Sequence, residues 1–176
     1  MLLESVGIHP DIESSSIDES HRPDETPEDY VRRMAREKAE FAAKTHLHDD
    51  VCILAADTIV VLDDEILGKP IDTNHAFETL EKLSSHVHTV MTSVCMFRTR
   101  DKKSETILTK THVHFTSLSE NKIREYIDTG EPMDKAGAYG IQGRAAAFVK
   151  AIEGSYTGVV GLPLCETLEL IDKFGD

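Results

Sequence analysis

The chain has 176 residues, 40% of them hydrophobic and 29% charged. That length suits one domain with a buried core, and the balance excludes a disordered chain. The formal net charge is −13, which argues against a nucleic-acid polymer as partner, because binding one needs a basic footprint.

Residues 10–26 are polar and rich in Ser, Asp, Glu and Pro, as in a surface loop. Thr26-Pro27-Glu28-Asp29 then reads as a helix start. Thr26 can cap, Pro27 fits the first turn, and the two acids face the positive end of the dipole. The helix is expected to run to about Lys44, with Tyr30, Val31, Met34, Ala35, Ala39 and Ala42 as its apolar stripe. Glu37 and Lys38 fall inside that stripe. Val51 to Ala56 is a continuous apolar run, as for a buried strand. Ile59–Leu62 and Glu65–Leu67 flank Asp63-Asp64 and predict a hairpin.

A helix is expected over 73–83, followed by long β segments at 87–98 and 106–115 joined by a charged turn. Ser119 starts a further helix that Gly130 closes. The stretch 131–144 carries Gly137, Gly140 and Gly143 and reads as a loop. A strand at 146–152 and a helix from Pro163 to about Phe174 complete the chain. Helices and strands mix, and the two long β segments are antiparallel candidates. An α/β fold with a mixed sheet flanked by helices follows.

Cys52, Cys95 and Cys165 are an odd number in apolar contexts with no CxxC, so buried free thiols in a reducing compartment are expected. No apolar run reaches the roughly 20 residues of a membrane span. No basic stretch with a long apolar run opens the chain. A soluble cytoplasmic protein without a membrane partner is the expectation. The pairs His46/His48 and His86/His88 lack zinc-site spacing.

Asp57 stands out because it interrupts an apolar strand run. A carboxylate at that depth must be paired, metal-bound or neutralised. It reads either as a strand-end Asp bonded to backbone amides or as a metal ligand or general base. Lys69, in Gly68-Lys69-Pro70, suits a phosphate as a point charge, or marks an ordinary turn. Glu37 and Lys38 are either a solvated helix edge or part of a site. In the second case Glu37 and Asp57 would give magnesium two oxygen ligands, with substrate phosphates supplying others. Lys38 and Lys69 would then hold the phosphate chain. Gln142 carries an amide that donates and accepts, which suits reading the edge of a base. Asp134 and Lys135 precede it, as a surface ion pair or as part of the same site. The glycine-rich stretch is not a P-loop, since GxxxxGK[ST] is absent.

Taken in order, five segments resemble the Maf family of nucleoside triphosphate pyrophosphatases. They are Arg36-Glu37-Lys38-Ala39, Ala56-Asp57-Thr58-Ile59-Val60-Val61, Gly68-Lys69-Pro70, the run from Asp134 to Gly143, and Gly154-Ser155-Tyr156-Thr157 with the run from Val159 to Pro163. The resemblance implies an elongated α/β fold of two lobes with a central cleft, and a single domain over 1–176. It implies hydrolysis of a nucleoside triphosphate to the monophosphate and pyrophosphate with a divalent metal, magnesium ahead of manganese. The family's proton acceptor falls on Asp57, and its specificity positions fall on Thr58 and Gln142. Lys135 lies in the same matching run and is a further substrate-binding candidate, while Lys38 and Lys69 accompany Asp57 in the chemistry.

The Ala-Gly-Ala-Tyr-Gly-Ile-Gln-Gly form resembles the branch acting on dTTP and UTP. A homodimer is suggested as well. Family members begin with a strand and a Ser-x-Ser-x-Arg-Arg loop that grips the triphosphate. Here Met1–Ile8 resembles the helix after that loop, so an N-terminally shortened domain is expected. The alternative function is a nucleotide-binding regulator of cell division that does not turn over.

Overall fold

The computed structural model of the protein describes residues 2–46 and 49–175. Met1 and His48, which entered the sequence reading, lie outside the described residues. The backbone of the fold is a five-stranded sheet in the order β2-β1-β3-β4-β5. The strands are β1 (Cys52–Leu62), β2 (Glu65–Leu67), β3 (Val87–Arg98), β4 (Lys103–Phe115) and β5 (Val149–Glu153). All four pairings are antiparallel. The α/β class is as expected, and strand direction is more uniform than the mixed sheet foreseen. With 11 to 13 residues each, the three central strands run roughly 40 Å, which gives the fold its length.

Helix α1 (Pro27–Ala43) starts where its signals place it. The Thr26 hydroxyl accepts from the Asp29 amide at 3.2 Å, and Pro27 sits in the first turn. It covers one face of the sheet. Tyr30, Val31 and Met34 pack on Ile59, Val61 and Met91. Further along, Ala35 and Ala39 pack on Cys95 with Ile53, Ala55 and Phe97 at their edge. The small alanines let the helix lie close.

Because side chains alternate along a strand, the even positions of β1 face the other way. Val60, with Val90, Val113 and Phe115, meets helices α2 (Thr73–Leu83) and α3 (Glu120–Ile127) and the 136–148 stretch in the largest core group. Farther along this face, Val94 and Met96 meet Leu170 and Phe174 of helix α5 (Leu164–Phe174). Two bodies thus stand on one face, with a cleft over the sheet beside the first. The short helix α4 (Tyr156–Val160), capped by the Ser155 hydroxyl at the Gly158 amide, sits over mid-sheet.

Four details depart from the sequence reading. Residues 52–62 are one continuous strand, so Asp57 lies inside it rather than at its end. The stretch 144–148 is a 3-10 turn, so β5 starts at Val149 and not at 146. The expected N-terminal helix is a single 3-10 turn over Glu4–Val6, closed by Gly7 at φ 80°. Cys95 alone of the three free cysteines is buried, and Cys52 and Cys165 are exposed.

Candidate active site

Asp57 points to the α1 face of the sheet. Lys38 reaches it from α1, its Nζ donating to Asp57 Oδ1 at 2.6 Å. The same ammonium meets Glu19 Oε1 at 2.9 Å. Asp57 and Lys38 are 15% and 19% exposed, enough for a ligand to reach them. Burial pushes the Asp57 carboxyl up from its ordinary value, against the pull of Lys38 and the field of Lys69. Burial works against the charge on Lys38 too, but its bonds to Asp57 and Glu19 outweigh that and raise its pKa. A carboxyl raised from its ordinary value by burial and held beside a cation is an arrangement suited to a general base.

Glu37, one residue earlier, turns away. Its carboxylate takes Arg22 at 2.8 Å and Arg33 at 3.4 Å. Arg33 is also clamped to Glu25 at 2.6 and 2.7 Å and donates to the Ser20 carbonyl. These bonds tie the 19–25 stretch onto α1. No group of three or more His, Cys, Asp or Glu side chains that could hold a metal occurs among the described residues.

Thr58 points to the opposite face, into a cleft of about 280 Å³. Lys69, Lys135 and Gln142 line the same cleft, with Tyr139, Val159 and Gly161 among its other walls. Lys69 is exposed and forms no salt bridge among the described residues. Lys135 bonds Asp134 at 2.6 Å. One glycine makes the wall possible. Gly137 has φ +67°, and a Cβ there would lie 2.8 Å from Val60 Cγ2, while its amide donates to the Gly68 carbonyl next to Lys69. A Cβ on Gly140 would meet the flexible end of the Lys135 side chain at 2.7 Å, which can move aside. Tyr139 pins the loop from beneath. Its hydroxyl meets His88 Nε2 at 2.8 Å, and burial lowers the His88 pKa to about 4, so the imidazole is neutral at pH 7.

The two half-sites meet along the outer edge of β1. β2 pairs with β1 only from Val60 to Leu62, so residues 52–59 have a strand neighbour on the β3 side alone among the described residues. Lys69 follows β2 and sends its field to both Asp57 and Asp134. The six expected residues other than Glu37 therefore gather around one stretch of strand: Thr58, Lys69, Lys135 and Gln142 on the cleft, Asp57 and Lys38 across the edge.

Sequence reasoning missed Glu19, which sits in a polar loop without a local signal. It also missed Thr92, the β3 partner of Thr58, whose sole trace is the hydroxyl pair Thr92-Ser93 between apolar neighbours.

Comparison with known proteins settles the lineage. The family model described as Maf-like protein matches residues 1–174. The chain belongs to the Maf family. Curated relatives agree with this. A protein of Hahella chejuensis named dTTP/UTP pyrophosphatase is 48% identical over 99% of this chain and 86% of its own length. One of Desulfotalea psychrophila with the same name is 48% identical over 95% of this chain and 85% of its own. One of Shewanella denitrificans, again so named, is 52% identical over 90% and 79%. In this Maf chain, Thr58 and Gln142, the two positions expected to set specificity, share the wall of one cleft.

Proposed function

We propose that this Maf chain hydrolyses dTTP and UTP to the monophosphate and pyrophosphate. The observation that carries the reading is the cleft itself: Thr58 and Gln142 face the same space as Lys69 and Lys135, and Asp57 with Lys38 stands across the edge of the same strand. The names of the relatives point to the same substrates.

In this reading the base lies against Thr58 and Gln142. The phosphate chain lies along the strand edge between Asp57 and the ammonium groups of Lys69 and Lys135, with the α-phosphate at the Asp57 side. Asp57 takes a proton from a water whose oxygen attacks the α-phosphorus. The bond from that phosphorus to the bridging oxygen breaks, and pyrophosphate leaves with the electron pair. Lys69 and Lys38 offset the charge that develops. Within an overall charge of −13, these local lysines are what makes room for a tetra-anion.

A divalent metal, magnesium before manganese, would polarise the phosphate oxygens and bring the water's pKa down. Asp57 fits as a ligand, since Lys38 engages its Oδ1 alone, and magnesium often needs one or two carboxylates beside phosphate oxygens. Glu37 would be the second carboxylate on leaving Arg22 and Arg33. The free thiols fit a reducing compartment such as the cytoplasm, and the family resemblance suggests a homodimer, which sedimentation tests.

The deciding experiment incubates the purified protein with magnesium and dTTP, UTP, CTP, ATP or GTP, and follows both binding and pyrophosphate release. Release from dTTP and UTP ahead of the others is expected. Tight binding without release would replace the enzyme by the division regulator, and preference for a purine would overturn the substrate assignment.

A further inference from the structure

Beneath the cleft the hydroxyl of Thr58 lies 2.9 Å from the hydroxyl of Thr92. Either could donate if the pair stood alone. It does not stand alone. Thr92 Oγ1 also lies 2.7 Å from the carbonyl oxygen of Gly158, and a carbonyl can only accept. A threonine hydroxyl has one proton, so the proton of Thr92 goes to Gly158. Toward Thr58, Thr92 has lone pairs only. Thr58 must therefore donate to Thr92. Thr92 is 1% exposed, so solvent does not compete for this arrangement.

The consequence appears on the cleft wall. Thr58 has committed its one proton downward, and what remains for a ligand is lone pairs. We propose that Thr92 is a specificity-positioning residue: by fixing the direction of the Thr58 hydroxyl, it makes the cleft present an acceptor matched to the N3–H of uracil and thymine. This rests on the substrate reading above and deepens it. Cytosine at neutral pH carries a lone pair at N3 where uracil and thymine carry a proton. Two acceptors would then face each other across a partly desolvated contact, which rejects cytosine more strongly than a lost hydrogen bond alone.

The proton chain starts at a backbone carbonyl of α4. That helix is held against the sheet by Ser155 and Thr111, the Thr111 hydroxyl accepting from the Ser155 amide at 3.0 Å. Gly158 lies close against Thr109 and Ser155, where a Cβ would sit 3.2 Å from each. Discrimination at the cleft thus traces back to the seating of a five-residue helix.

The test compares Thr92→Val with Thr92→Ser. Valine keeps the shape of threonine and removes the acceptor, which frees the Thr58 hydroxyl to turn and donate. The ratio of kcat/KM for UTP over CTP is expected to fall at least about tenfold in Thr92→Val, with CTP turnover rising, a gain that general damage would not produce. Thr92→Ser keeps the hydroxyl and should keep the ratio. An unchanged ratio in Thr92→Val overturns the proposal. Neutron diffraction on the ligand-free wild type decides the same point without substrate: a proton on Thr92 aimed at Gly158 supports it, and one aimed at Thr58 overturns it. Should wild type release no pyrophosphate from dTTP or UTP, the substrate reading falls, and the neutron result still settles the hydroxyl direction.

Discussion

Asp57 and Thr58 are chain neighbours that face opposite sides of one strand, Asp57 bonded to Lys38 of α1 at 2.6 Å and Thr58 to Thr92 at 2.9 Å. Strand alternation alone produces this split. In the proposed mechanism it separates the general base from the hydroxyl offered to the nucleobase, at the shortest distance a chain allows.

Asp57→Asn keeps the shape of the side chain and removes the base. Pyrophosphate release from dTTP should fall by about 10²–10⁴-fold, with nucleotide binding retained. A coupled pyrophosphate assay beside calorimetric titration checks both. Release at the wild-type rate would take Asp57 out of the mechanism.

The pH dependence follows from the direction in which Asp57 is moved. Burial raises its pKa, and a general base works when deprotonated. Activity is therefore lost as pH falls through that raised value, and the acid limb of kcat/KM should lie above the ordinary Asp value of about 3.9. Lys38 pulls the other way, so Lys38→Met should move the limb to still higher pH while lowering the rate. A limb that stays put would show that another group sets it.

The Glu25–Arg33 clamp should be worth measurable stability. Its members are 8% and 5% exposed and joined at 2.6 Å, and the hydrogen bond from Arg33 holds Glu25 down at about 2. A depressed carboxylate stabilises above its unfolded pKa, about 4.3, and that contribution is lost as pH falls through about 2. Glu25→Gln leaves Arg33 partly unpaired and should cost about 2–3 kcal/mol at pH 7. The variant and wild type should converge in chemical denaturation as pH drops across that window.

Gly137→Ala places a methyl 2.8 Å from Val60 Cγ2 at φ +67°. Both the left-handed backbone and the contact oppose it, and about 1–3 kcal/mol of destabilisation is expected. The loop carries Gln142, so KM for dTTP should rise more than kcat falls. Thermal melting and steady-state kinetics separate the two effects.

How much of this was legible in the sequence depended on the range of the signal. The start of α1 was readable because its cap, its proline and its acids sit within four residues of each other. Lys69, Lys135 and Gln142 were readable because glycine and proline mark where the backbone must bend. Asp57 was placed at the end of a strand because an acid in an apolar run reads as a terminus. The strand continues because Lys38, 19 positions earlier, neutralises it. Glu37 and Lys38 shared the same apolar stripe, and nothing local said which would face the sheet. That was decided by Arg22 and Arg33 capturing one and Asp57 the other. Thr92 came to light through the β1–β3 register, which pairs residues 34 positions apart.

The half-paired state of β1 has a kinetic signature of its own. Along residues 52–59, alternate amides aim at β3 and the others aim outward, where no strand meets them among the described residues. In deuterated water the first set should exchange slowly and the second quickly, so the strand would be labelled every second residue. The strand that carries Asp57 is thus bound to the sheet along one side and unpaired with any strand along the other among the described residues, so hydrogen exchange would read the two sides of one segment separately.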